Sequence, residues 1–389
     1  MDEWGNLTSK IISSDYEDVP RQFAAPSVCC YWTTQQILDA GMTSRFNDRL
    51  SAITAIQYPQ SLCSDHAPYG HAGYMNQSAI VAFTSYDADA VATAVQSNIP
   101  YYIVETNSAS CVGVQDVADT FTSAIWSVNM ALQFAYRNHS GVLLHSGGQS
   151  TLYNIFTPPA YNFTTTAWRT HPIFYSILVV AEALRSSDDV ARVTVTDQLL
   201  ASNVAAAYNI YENGNVMKKV LINMVNDPSG GNDLKVQFNA PSGSPSSVAY
   251  KILTARTLAE KENVTWAGQT FGYYSEGKLY NNETILRAPC TGNTCSLSVP
   301  APGVAIVFLN SALQDEETHT ATAFYPVGTN NPQIVLGSNG GRGRKGGATS
   351  RNSAKSAASF SAQAPDKLIL MIQPLAVIAI CAALAMLLD

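Results

Sequence analysis

Four short apolar runs, each followed by a stretch with helical spacing, constrain the first half of this 389-residue chain more than any other feature. Alternation of that kind is what βα units produce, because parallel strands need a crossover helix that covers the sheet. The runs predict strands over Val28 to Trp32, Ile53 to Tyr58, Tyr101 to Glu105 and Val142 to His145. Helices are expected over Thr34 to Ala40, Ala88 to Gln96, Val117 to Tyr136 and Pro172 to Leu184, the last with Ile173, Ile177, Val180, Ala181 and Leu184 on one face. Four such units make half of an eight-unit barrel, so residues 1–190 read as a partial TIM barrel. From about Ala191 the pattern changes to RVTVT, VLINMV, LKVQF, VAYKIL, CSLSV and GVAIVFL, β-type runs broken by Gly, Pro and Asn. Residues 191–312 therefore read as an antiparallel β-sandwich. Residues 313–367, rich in Gly, Ser and basic side chains, have the composition of a flexible linker.

A hydrophobic content of 46% excludes a disordered chain, and charged residues at 13%, against about 25% in typical soluble proteins, leave a neutral-polar surface of the extracellular kind. Net charge is −7, with Arg342, Arg344, Lys345, Arg351 and Lys355 crowded into one short stretch; nucleic acid is not an expected partner of the acidic folded part. Cys29, Cys30, Cys63, Cys111, Cys290 and Cys295 could pair in an oxidising compartment, while Cys381 lies in an apolar tail. The clearest pair is Cys290 with Cys295, since APCTGNTC would bring them together across a hairpin loop. Sequons at Asn6, Asn76, Asn138, Asn162, Asn263 and Asn282 suit a glycoprotein, although this much Asn, Ser and Thr yields about that number by chance.

No signal peptide is visible in MDEWGNLTSK, which leaves two explanations beside the cysteines: a cytosolic protein, or a chain whose true beginning is missing. Leu368 to Leu388 is apolar except for Gln373 and Pro374, and at ~1.5 Å per residue is long enough to cross a bilayer. It follows a polar spacer and small residues such as Ser356, Ala357 and Ala358, the layout of a glycosylphosphatidylinositol attachment signal with Ser356 as the candidate site. A permanent spanning helix and a buried core helix are the alternatives. A lipid anchor would place the protein on the extracellular face of the plasma membrane or in the cell wall, whereas the spanning helix could equally be a tail anchor.

Chemistry concentrates where the apolar runs end. YYIVETNSASC is a strand that stops at a carboxylate, Glu105; in an α/β barrel such a residue projects into a cleft from a rigid support, although a helix cap or a solvent-facing carboxylate is the plainer reading. Tyr58 in AIQYPQSLC, and His145 with Gly147, Gly148 and Gln149 in VLLHSGGQSTLY, would reach the same rim. One carboxylate, a tyrosine, a histidine and Gly-rich backbone suit a sugar with an acidic substituent, because free backbone N–H groups can hold a carboxylate. His145 alone is more often a hydrogen-bonded core residue. Neither a metal spacing, a phosphate loop nor a dinucleotide glycine pattern occurs, so no metal or cofactor is expected.

Taken together, ETNSASC followed by VADTFTSAIWSVNMAL, the HSGGQSTLY strand end, and LTARTLAEKENVTWAGQTFG resemble glycoside hydrolase family 79, the β-glucuronidase and heparanase-like enzymes, over about residues 1–312. The resemblance implies the C-terminal half of a (β/α)8 barrel followed by a β-sandwich. It further implies Glu105 as the nucleophile ending the seventh strand, Tyr58 as the sixth-strand tyrosine beside it, and Gly148, Gln149 and Tyr153 in a loop that helps to hold a glucuronate carboxylate. The implied substrate is a glucuronide-containing glycan. The family's acid/base glutamate lies in an Asn-Glu-Pro motif, and no Asn-Glu-Pro occurs in this chain, which reads as beginning just after it. Asp2, Glu3, Glu17 and Asp18 have no reason to replace it. The chain alone is therefore expected to be inactive; the alternative is a non-catalytic cell-surface carbohydrate-binding or structural protein.

Overall fold

The computed structural model describes residues 1–15, 21–28, 31–63, 67–148, 150–158, 168–185, 193–198, 202–239, 243, 245–272 and 275–309. The linker, the apolar tail, Ser356, Gln149, Cys29, Cys30, Glu17, Asp18 and the expected boundary near 190 lie outside them.

Helix α1 (Asp2–Asp15) leads into a parallel sheet of β1 (Phe23–Val28), β2 (Leu50–Ile56), β3 (Tyr101–Thr106) and β4 (Gly141–Leu144), whose order in space equals their order in the chain. Between them run α2 (Thr34–Asp39), α3 (Met42–Phe46), α4 (His71–Tyr74), α5 (Gln77–Thr84), α6 (Ala88–Gln96) and α7 (Phe121–Tyr136). The first strand lies about five residues earlier than expected. Tyr31 and Trp32, the apolar bait for that expectation, are 94% and 61% exposed. The chain has already turned there: the Gln36 N–H donates to Thr33 Oγ1 (3.2 Å) and the Thr33 N–H to Gln36 Oε1 (2.9 Å), a capping box that starts α2. Pro26, which argues against a central strand, is admissible because β1 is an edge.

The short hairpin β5 (Phe156–Thr157) and β6 (Arg169–Thr170) and helix α8 (Ile173–Leu184) lead into the β-rich part. Its strands are β7 (Val193–Gln198), β8 (Ala205–Glu212), β9 (Asn215–Asn223), β10 (Leu234–Asn239), β11 (Ser247–Thr254), β12 (Thr265–Trp266), β13 (Leu286–Thr291), β14 (Thr294–Val299) and β15 (Gly303–Phe308). They form one antiparallel path, β10-β14-β13-β11-β15-β9-β8-β7, with β12 beside β11. Both faces of its middle are buried. Tyr208, Val220, Ile222, Val304 and Ile306 join the core of the α/β part, while the alternate residues Ala207, Leu221, Ala305 and Val307 join a second cluster with Ala288, Leu297 and Val299 from the β13–β14 end. Period-2 alternation thus serves two cores, which is why GVAIVF reads as a continuous apolar run.

Helix α7 ties the two parts together and is buried almost all round. Most of its polar side chains are paired, although Gln133 Nε2 has no hydrogen-bond partner among the described residues. The Tyr208 hydroxyl on β8 lies 2.6 Å from Asn129 Oδ1 and 2.8 Å from Gln133 Oε1, which share its one proton, Asn129 Nδ2 donates to Gln77 Oε1 (2.6 Å), and Ser176 on α8 donates to Ser127 (2.9 Å). Its first turn donates outward: Phe121 N–H to the Glu260 carbonyl (2.7 Å) and Thr122 N–H to the Leu258 carbonyl (3.0 Å). Two of the N–H groups that every helix start leaves unpaired are therefore satisfied by the β-rich part.

Nearby, His171 is 2% exposed, with Nε2 2.8 Å from Thr157 Oγ1. Burial pushes its imidazole down to about 3, with Arg169 and Lys261 adding to the effect. Unfolded, it would take up a proton near pH 6.5, so between about pH 6.5 and 3 the unfolded chain holds more protons and stability falls as pH falls. His171→Gln is expected to flatten that slope, read as urea midpoints at pH 7 and pH 4.5. An unchanged slope would assign the acid sensitivity elsewhere.

Candidate active site

The candidate side chains stand at or just past the carboxyl ends of β2, β3 and β4. Glu105 is the penultimate residue of β3; Tyr58 follows β2 by two residues and His145 follows β4 directly. Parallel pairing puts these ends level, and the Gln57 N–H donating to the Glu105 carbonyl (3.0 Å) extends the ladder past β2. The Tyr58 hydroxyl donates to Glu105 Oε1 at 2.9 Å and lies 3.1 Å from His145 Nδ1, which is also 3.1 Å from the Tyr153 hydroxyl and 3.7 Å from Glu105 Oε1. With the Tyr58 proton engaged by the carboxylate, the contact to His145 closes when Nδ1 carries a hydrogen, which the Tyr58 and Tyr153 oxygens share.

Electrostatics keep both phenols protonated. Burial raises the Tyr58 hydroxyl above the ordinary phenol range, and its bond to Glu105 raises it further. Tyr153 is raised chiefly by burial as well. The side chains of Glu105 and His145 remain 38% and 41% exposed, so a ligand can reach them, whereas Tyr153 is 3% exposed and can act only through its neighbours.

The glycine loop behaves differently from the expectation. The Gly147 N–H is spent on Asn154 Oδ1 (2.8 Å), and Asn154 Nδ2 returns to the Gly148 carbonyl (2.9 Å), so the loop is clamped on itself. Only Gly148 is open, with nothing within 4 Å of where a Cβ would stand. Tyr153 points its hydroxyl at His145, away from an independent role in that loop.

Sequence reasoning overlooked three supports. Asn107, fully buried, donates to the carbonyls of His145 (2.9 Å) and Tyr153 (3.2 Å), fastening the loop after β4 to the strand that carries Glu105. Asn154 is the second. The third is a Cys63–Cys111 disulfide with Cα atoms 5.5 Å apart; both residues had been counted among cysteines able to pair, but a separation of 48 residues gave no local cue. The expected Cys290–Cys295 bridge is present across the β13–β14 hairpin. A cavity of about 400 Å³ adjoins the site, walled by Gln57, Tyr58, Tyr74, Phe83 and Trp126. Among the described residues, no three His, Cys, Asp or Glu side chains are grouped to hold a metal.

Residues 207–306 match the model of the glycosyl hydrolase family 79 C-terminal beta domain. A β-glucuronidase of Aspergillus niger is 26% identical over 349 residues, 79% of this chain and 61% of its own length. The crystal structure of a 4-O-α-L-rhamnosyl-β-D-glucuronidase from Fusarium oxysporum 12S, in complex with Rha-GlcA, superposes with a TM-score of 0.63 at 21% identity, covering 79% of this chain and 64% of that one. The likeness shows the fold. In both comparisons this chain spans less than two thirds of its relative.

Proposed function

Because the chain belongs to glycoside hydrolase family 79, we propose that it carries the nucleophile half of a retaining β-glucuronidase-type site acting on glucuronide-containing glycans. The observation that carries this reading is Glu105, half-exposed at a strand end and oriented by the Tyr58 hydroxyl. In retaining hydrolysis one carboxylate attacks the anomeric carbon, displacing the aglycone oxygen and forming a glycosyl ester. A second carboxyl group, about 5 to 5.5 Å away, protonates the leaving oxygen and then activates water. The Asn-Glu-Pro that supplies it in this family is absent from the sequence, so natural glycosides should turn over poorly on this chain alone.

That asymmetry gives a direct test. A leaving group that departs without protonation bypasses the missing acid, and a 2-fluoro substituent slows breakdown of the ester. The full chain incubated with 2,4-dinitrophenyl 2-deoxy-2-fluoro-β-D-glucuronide is expected to gain one glycosyl unit, mapped by peptide mass spectrometry to Glu105. No adduct, or one on another residue, would sink the assignment. Reversible binding of a glucuronide without labelling would favour the non-catalytic carbohydrate-binding reading, which the missing motif also motivates.

Residues 368–388 fit an anchoring role in this proposal, with Ser356 as the lipid attachment point and the cell surface as the place of action. They lie outside the described residues, among which no helix is long and apolar enough to cross a membrane. Phosphatidylinositol-specific phospholipase C is expected to release the protein from cells. Retention after treatment would point to a spanning helix instead.

A further inference from the structure

We propose that the Cys63–Cys111 disulfide, together with the left-handed arch it anchors at Cys111 to Gly113, is a positioning device for the Tyr58, Glu105, His145 and Tyr153 cluster, released when the disulfide is reduced. The geometry of the device stands by itself; its effect on catalysis rests on the reading of Glu105 given above.

The two segments that leave β2 and β3 stay zipped together well past the strands. Ser110 N–H donates to the Gln60 carbonyl (3.1 Å), Leu62 N–H to the Ser110 carbonyl (3.4 Å) and the Ser110 hydroxyl to Ser61 Oγ (3.0 Å), with the disulfide closing the end. Tyr58 rides on one of these segments and Glu105 begins the other. Immediately beyond the bridge the backbone enters the left-handed region three times in succession, at Cys111 (φ 58°), Val112 (φ 78°) and Gly113 (φ 84°). A β-branched residue avoids that region, and such conformations persist only where the surroundings over-determine them.

Here the surroundings are the site itself. The Val112 carbonyl accepts from the Leu152 N–H at 2.8 Å, which pins the residue before Tyr153. Gly113 lies against the Tyr153 ring so closely that a Cβ would stand 2.9 Å from Tyr153 Cδ1 and 2.9 Å from Ala118 Cβ. The Tyr153 hydroxyl then meets His145, and His145 meets Tyr58 and Glu105. A continuous line of contacts thus runs from the disulfide through the arch to the carboxylate. Without the cross-link, Cys111 and Val112 are free to return to negative φ, which withdraws the support beneath Tyr153 and untethers the segment bearing Tyr58. Both Cys63 and Cys111 are exposed, so a dithiol reaches this bridge; the other disulfide includes the fully buried Cys295 and touches none of these elements.

The test uses the full chain with ¹³Cζ-labelled tyrosine, resonances assigned by single Tyr→Phe variants. In the Cys63→Ser/Cys111→Ser double variant the Tyr153 and Tyr58 resonances are expected to move while that of Tyr208, in the buried α7 network, stays in place. The Cys290→Ser/Cys295→Ser control should move neither. Gly113→Ala, with the disulfide intact, should shift Tyr153. The rate constant for labelling at Glu105 should fall about 10-fold or more in the double variant, with less change in the reagent's binding constant, as misplacement of a reacting group by about 1 Å can cost 10²-fold. Should the double variant lose the Tyr208 signal too, the folded wild-type protein treated with dithiothreitol replaces it. Unmoved Tyr153 and Tyr58 resonances after loss of the Cys63–Cys111 bridge, or equal movement in the control, overturn the proposal. Failure of the wild-type chain to be labelled would strike the functional reading and leave the resonance test standing.

Discussion

Glu105→Gln is expected to slow glycosylation by the fluorinated dinitrophenyl glucuronide on the order of 10⁴-fold or more, the scale seen when a nucleophile is removed from an otherwise intact site. The amide keeps the shape of the carboxylate and still offers Tyr58 an oxygen to donate to, but it has no charge with which to attack. With the native side chain 38% exposed and no buried partner left unsatisfied, the urea midpoint should not move. Rates followed by intact mass decide the matter, and a variant labelled as fast as the wild type would remove Glu105 from the chemistry.

Asn129→Ala should instead leave the site's chemistry intact and cost about 3 kcal/mol of stability, because two buried partners lose their bonds at once. The Tyr208 hydroxyl would lose its shortest contact, keeping Gln133 and the longer one from Gln77 Nε2 (3.4 Å), and Gln77 Oε1 would lose its donor. Tyr208→Phe removes a hydroxyl from the same network and should cost roughly 1–2 kcal/mol, with the double variant costing less than the sum because the bonds are shared. Urea denaturation measures all three. A loss below about 1 kcal/mol for Asn129→Ala would show that the contact between α7 and β8 contributes little to holding the two parts together.

How far the sequence led depended on whether a signal was local. Strand ends at Tyr101–Thr106 and Gly141–Leu144 were nearly where apolar runs stop, and their level carboxyl ends brought Glu105, Tyr58 and His145 together without further assumption. The first strand went astray because YW is apolar and FAAPSV contains a proline. Only the capping box at Thr33 and the edge position of β1 resolve that conflict, and the second of these is a property of the assembled sheet. Helix α7 was expected from Val117 but begins at Phe121, where carbonyls from residues 258 and 260 supply its cap from far along the chain. Asn107, Asn154 and the Cys63–Cys111 bridge escaped for the same reason: each is defined by a partner that only folding brings near. The glycine loop is the opposite case, since its composition invited a ligand while its own Asn154 had already taken the Gly147 N–H.

The carbonyls of Leu258 and Glu260 that terminate α7 have a consequence for how such a chain can be divided or inherited. Cutting the β-rich part away would uncover the start of α7 and strip Asn129 and Gln133 of their contact with Tyr208, while α4, α5, α8 and β4 would still cover its other faces. Drift in the TLAEKEN segment is thereby restrained by a helix more than a hundred residues upstream, whose first two N–H groups depend on its carbonyls.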